Sequence, residues 1–136
     1  METLYPSVGT LSYSHRGYRL VVEVDRGIVD FYRSLIPKWM PVFKSRYSAH
    51  VTVVREDKEE PVHKEYWGKH QGEKITLFYS SEIHQGEVYY WLNVFCVRLE
   101  DIRLELGLSA RSEYTIPPEG FRKCFHMTIA NKKINK

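Results

Sequence analysis

Two four-residue stretches constrain this chain more than any other feature. His50-Val51-Thr52-Val53 and His126-Met127-Thr128-Ile129 share one pattern: histidine, apolar, threonine, apolar. Side chains alternate across a β-strand, so residues i and i+2 share a face. As strands, the two tetrads each put a histidine and a threonine on one face and two apolar side chains on the other. Side by side, they would converge two imidazoles and two hydroxyls on one patch. In average composition a histidine opens such a tetrad about 2% of the time. The chain has six histidines, so two tetrads arise by luck with odds of about 0.5%. The pair is therefore read as a site formed by two strands from different halves of one domain.

The chain is long enough to bury a real core, and one domain over residues 1–136 is expected. Ten Tyr, six Phe and three Trp suit strand packing and base stacking alike. The net charge of +3 is compatible with an anionic substrate without requiring one. Cys96 and Cys124 sit among apolar neighbours and read as reduced, buried and structural. No segment has the order of a signal peptide, and no apolar run could span a bilayer. A cytoplasmic protein without membrane partners is expected.

Residues 1–17 carry Pro6, Gly9 and Gly17 and read as an irregular lead-in with turns. Residues 18–24 read as a strand. Ile28, Phe31, Tyr32 and Leu35 lie at helical spacing, which predicts a helix over 28–36 with Asp25 as cap and Pro37 as stop. After a loop holding Lys44 and Arg46 comes the first tetrad strand, 50–54. The charge run 55–60 reads as a solvated loop, and 61–72 as a longer loop. Segments 74–79 and 88–97 predict a hairpin about Gln85-Gly86. Residues 99–108 predict a second helix ended at Gly107. The second tetrad strand spans 121–130, and 131–136 form a basic tail.

Histidine exchanges protons near neutral pH. Two histidines flanking one phosphate can divide the labour, one removing a proton from the nucleophile and the other protonating the leaving oxygen. Threonine hydroxyls can donate to the non-bridging oxygens. The ligand spacing a metal requires is missing, since neither tetrad brings a second histidine or a carboxylate at i+2 or i+4. No metal and no cofactor are expected. His15, His63, His70 and His84 read as surface or satisfied histidines.

The tetrads resemble the two signatures of the 2H phosphoesterase superfamily, and the expected element order extends the likeness over residues 18–130. That resemblance implies an α+β, bilobal fold: antiparallel sheets of two pseudo-symmetric lobes, helices outside, and a central cleft. It implies metal-independent cleavage of phosphodiesters, with His50 and His126 as acid and base and Thr52 and Thr128 on the phosphate. Within the superfamily the chain is most similar to the phage-encoded anti-CBASS nucleases, which degrade cyclic oligonucleotide signals such as 3′,3′-cGAMP. The alternatives are RNA 2′,3′-cyclic ends, 2′-5′ oligoadenylates, or nucleotide binding without turnover. On the nuclease reading, Tyr13, Trp67 and Trp91 are stacking candidates, and Arg122 and Lys44 phosphate contacts. Arg122 shares the face of His126 if the strand reaches back that far. A homo-oligomer is allowed, since an interface could complete the site.

Overall fold

A computed structural model describes residues 3–112 and 114–133. Six strands form one closed antiparallel barrel: β1 (Leu4–Tyr13), β2 (Leu20–Glu23), β3 (His50–Val54), β4 (Lys74–Gln85), β5 (Tyr89–Phe95) and β6 (Phe125–Asn131). Around the barrel the order is β1-β2-β3-β6-β5-β4. Among the described residues two short α-helices complete the architecture, α1 (Arg26–Ser34) and α2 (Val97–Glu105). Among the described residues no helix is long and apolar enough to cross a membrane. The basic tail enters β6 at Asn131, and residues 134–136 lie outside the described residues.

The α+β, bilobal expectation is therefore corrected: a single barrel, mostly strand, takes the place of two lobes with outer helices. The cause lies in β1, which the lead-in reading missed. This strand pairs with β4 from Leu4↔Ser80 to Thr10↔Lys74, then with β2 from Thr10↔Glu23 to Tyr13↔Leu20. One strand thereby bridges the edges that two lobes would leave open, and closure removes exposed edges altogether. Pro6 is tolerated within the strand, facing Phe78. Gly9 marks a close approach instead of a turn. A Cβ there would meet Val22 Cγ1 at 2.4 Å and the Glu23 carbonyl oxygen at 2.7 Å, as expected where a barrel strand passes a neighbouring backbone.

Alternation divides the barrel wall. Val51 and Val53 of β3, Met127 and Ile129 of β6, and Leu92 and Val94 of β5 are buried in the core with Leu11, Leu20, Val22, Ile75 and Leu77. Each buried aliphatic of this kind contributes about 1.5–3 kcal/mol. The intervening residues of β3, β5 and β6 face outward. Helix α1 starts where Asp25 accepts a hydrogen bond from the Gly27 amide at 2.8 Å, satisfying one orphan donor. Helix α2 stops at Gly107, whose φ of +81° suits glycine beyond a helix end.

Candidate active site

The two tetrads lie on adjacent antiparallel strands, with Val51 of β3 opposite Met127 of β6. Both are fully buried, so their sequence neighbours project from the outer wall. Continuing the register by one residue each way sets His50 across from Thr128 and Thr52 across from His126. His50 and His126 are then diagonal neighbours, a relationship that spans about 7–8 Å in an antiparallel pair. A phosphate between them could reach both rings at hydrogen-bonding distance.

The flanking strands extend this pairing into two rows. His84 of β4 faces Trp91 of β5, Trp91 faces Thr128, and His50 faces Glu23 of β2. Asn93 faces His126, and Thr52 faces Val21. One row thus reads His84, Trp91, Thr128, His50, Glu23, and the next reads Asn93, His126, Thr52, Val21. All four tetrad residues line an open groove of about 1140 Å³ together with Arg19, Arg55, Trp91 and Lys123. Tyr47, Tyr89 and Tyr114 stand exposed on its walls.

The two histidines have different surroundings. His50 Nδ1 lies 2.7 Å from the Ser48 carbonyl oxygen. A carbonyl only accepts, so Nδ1 carries the hydrogen and Nε2 is the open nitrogen of the neutral ring. Arg19 Nη2 lies 3.5 Å from that Nε2. Desolvation lowers the His50 pKa, the Ser48 carbonyl pulls it back up, and Arg19 lowers it while Glu23 raises it. His126 is pushed down to about 4, first by desolvation and then by the positive charge of His84, Lys123 and Arg55. Its outer edge remains open to solvent, which screens those charges in part.

A stack of three rings fixes His126. Its imidazole lies 4.9 Å from the Trp91 ring, and the His84 ring lies 5.9 Å from Trp91, both stacked. The imidazoles come from the two strands flanking β5. Trp91 Nε1 donates to Asn93 Oδ1 at 3.1 Å, and Asn93 Nδ2 lies 3.1 Å from His84 Nε2. The indole nitrogen is donor-only, which orients the Asn93 amide. The Asn93 Nδ2 then donates toward His84 Nε2. His84, expected as a satisfied histidine, is satisfied, but it is also part of the site wall.

The remaining binding candidates lie elsewhere. Tyr13 is in the core, 6% exposed, with its ring edge-on to Trp67 at 5.0 Å. Trp67 packs against the core and donates from Nε1 to the Ser14 carbonyl. Arg122 precedes β6, and its Nε donates to the buried Glu100 carboxylate at 3.0 Å. Lys44 is exposed near Asp30 of α1 and is not a groove-lining residue. Trp91 does line the groove, but imidazoles cover its faces. Arg19, Asn93 and the exposed tyrosines carry no motif, and only the barrel's register and shape bring them to the tetrads.

Among the described residues no three of His, Cys, Asp and Glu gather as metal ligands would. Cys96 is buried, which pushes its thiol pKa up, and Cys124 is half-buried. No family model, curated protein or solved structure matches this chain.

Proposed function

We propose that this chain is a phosphodiesterase that needs no metal and acts on a small nucleotide, a cyclic oligonucleotide such as 3′,3′-cGAMP foremost, as a phage-encoded anti-CBASS nuclease would. The observation that carries this reading is the diagonal of His50 and His126 across adjacent strands, each facing a threonine, inside one basic groove. The groove is larger than a drug-sized ligand needs. Its exposed tyrosines offer open rings to bases, and base–aromatic stacking tolerates any base.

The surroundings divide the roles. His126, with its pKa pushed down to about 4, keeps a lone pair at neutral pH and serves as the proton acceptor. His50 serves as the donor: desolvation lowers its pKa too, but the Ser48 carbonyl and Glu23 oppose that shift, and an arriving phosphate adds negative charge beside it. Water loses a proton to His126 Nε2 or Nδ1 as its oxygen bonds to phosphorus. The P–O bond to the leaving ribose breaks as His50 Nε2 protonates that oxygen. Thr52 and Thr128 donate to the non-bridging oxygens, where charge is held. Proton exchange with solvent restores both rings.

The test is turnover in EDTA of four substrates: 3′,3′-cGAMP, cyclic tri-adenylate, an RNA 2′,3′-cyclic end and a 2′-5′ oligoadenylate. His50→Ala and His126→Ala should each cost about 10²–10⁴-fold. Cleavage of the RNA end alone would move the chain to RNA processing with the same chemistry. Binding without cleavage, unchanged in both variants, would overturn the enzyme reading and leave a binding module.

A further inference from the structure

Arg19 stands out among the cations of the groove. It immediately precedes β2, and its backbone is pinned where the Ser14 amide donates to the Arg19 carbonyl at 2.9 Å. The side chain is half-buried. Of the other arginines lining the groove, Arg16 and Arg111 are exposed, and Arg55 and Arg103 are committed to a carboxylate. Arg103 donates to Glu59 at 2.6 Å, and Arg55 lies 3.8 Å from Glu59. Among the described residues Arg19 forms no ion pair, and its only side-chain hydrogen-bonding partner is His50 Nε2 at 3.5 Å. That distance is long for a hydrogen bond. A guanidinium has five N–H donors in a rigid fork, so nearly all of this one's capacity is unused.

The position of that unused capacity is specific. Arg19 lies against the one His50 nitrogen that is not tied to the Ser48 carbonyl. The row neighbours of His50 are Thr128 and Glu23. The nook behind it is walled by Arg26 and Arg33 of α1, both of which are engaged by Asp30. An anion approaching His50 Nε2 therefore meets one cation that is half-dehydrated, pre-placed and without a carboxylate.

We propose that Arg19 is a further phosphate-binding residue, on the His50 side of the groove, where its fork takes two non-bridging oxygens of the phosphoryl group seated between His50 and His126. The contact with His50 already places the guanidinium beside that nitrogen. This assignment rests on the phosphodiesterase reading for its purpose, but phosphate binding can be measured without turnover. Paired Arg–phosphate hydrogen bonds are charge-assisted and geometrically selective, and lysine reproduces the charge without the fork. A phosphate there also removes the penalty that Arg19 places on a charged His50, since the guanidinium's charge is then compensated. Glu23 continues to favour the charged ring, and Asp30 offsets one of the two charges of Arg26 and Arg33.

The experiment titrates inorganic phosphate into the full chain at constant ionic strength. The His50 imidazole is followed by NMR in the wild type, Arg19→Lys and Arg19→Ala. Saturable binding in the wild type, with a rise of the His50 pKa on saturation, is expected. Affinity should fall roughly ten- to a hundredfold in Arg19→Ala, with Arg19→Lys in between. Equal phosphate affinity in all three proteins, or a wild-type His50 resonance that phosphate leaves unmoved, overturns the assignment. Because the probe is not hydrolysed, failure to turn over any nucleotide would sink the enzyme reading without touching this result. Nucleotide turnover that Arg19→Ala leaves unchanged would sink this assignment without touching the enzyme reading.

Discussion

Glu100 and Arg103 sit one turn apart on α2, and between them they fasten both histidine strands to one helix. Arg103, almost fully buried, donates from Nη1 to the Val53 carbonyl of β3 at 2.7 Å and pairs with Glu59. Glu100, fully buried, accepts from the backbone amides of Arg122 and Lys123 just ahead of β6. The relative placement of His50 and His126 thus depends on two charges inside the fold. Removing one partner of a buried pair strands the other, at a cost of about 3–5 kcal/mol. Arg103→Ala should lose that much in urea unfolding, a large share of the stability of a domain this size. A loss within a few tenths of a kcal/mol would mean the buried pair does not hold the strand.

The Trp91 stack predicts a separable effect on one histidine. In Trp91→Ala, His126 loses the ring that covers its face, so water returns and its pKa should climb from about 4 toward the ordinary histidine value. Trp91→Phe keeps a ring in place and drops only the donor to Asn93, so the shift should be much smaller. An imidazole NMR titration of each variant reads this directly. An unmoved His126 in Trp91→Ala would show that the stack has no part in tuning it.

Closure of the barrel can be tested at Gly9. Even the single methyl of Gly9→Ala would collide with the Val22 side chain and the Glu23 carbonyl. Forcing extra volume into packed structure costs about 1–3 kcal/mol. Thermal unfolding should show a lowered Tm. A Tm equal to that of the wild type would mean β1 and β2 do not approach this closely.

The same glycine explains what the sequence could and could not reveal. Strand β3 was legible because His50 to Val53 alternates polar and apolar against a buried interior. Helix α1 was legible from its spacing and from Asp25. Strand β1 was not, because Pro6 and Gly9 carry the chemistry of a turn when the partner strands are unknown. The two lobes came from the family resemblance of the tetrads, and with residues 1–17 read as a lead-in nothing in the chain spoke against them. At the site, the tetrads could be seen because their signal is local. Arg19 and Asn93 could not, because only cross-strand register brings them to the histidines. Arg122 was placed by extending β6 backwards, whereas that strand begins at Phe125 and Glu100 has already captured the residues before it.

The lowered pKa of His126 predicts how stability depends on pH. In the unfolded chain this ring has the ordinary value, near 6.5, and in the fold it is held at about 4. Between those values the unfolded chain binds the extra proton, so stability falls as the medium is acidified through that window. Above it both states are neutral and the group contributes no slope. Below about 4 both are charged and the slope vanishes again. His126→Gln removes the titration while keeping a polar side chain of similar reach. Urea unfolding of both proteins from pH 7.5 to pH 4 isolates the contribution, since the carboxylates titrate in each. The wild type should lose stability faster than the variant, with the two curves parallel above the window. Curves parallel throughout would mean that His126 titrates alike in the folded and unfolded chain, and that the groove does not hold it as a neutral base.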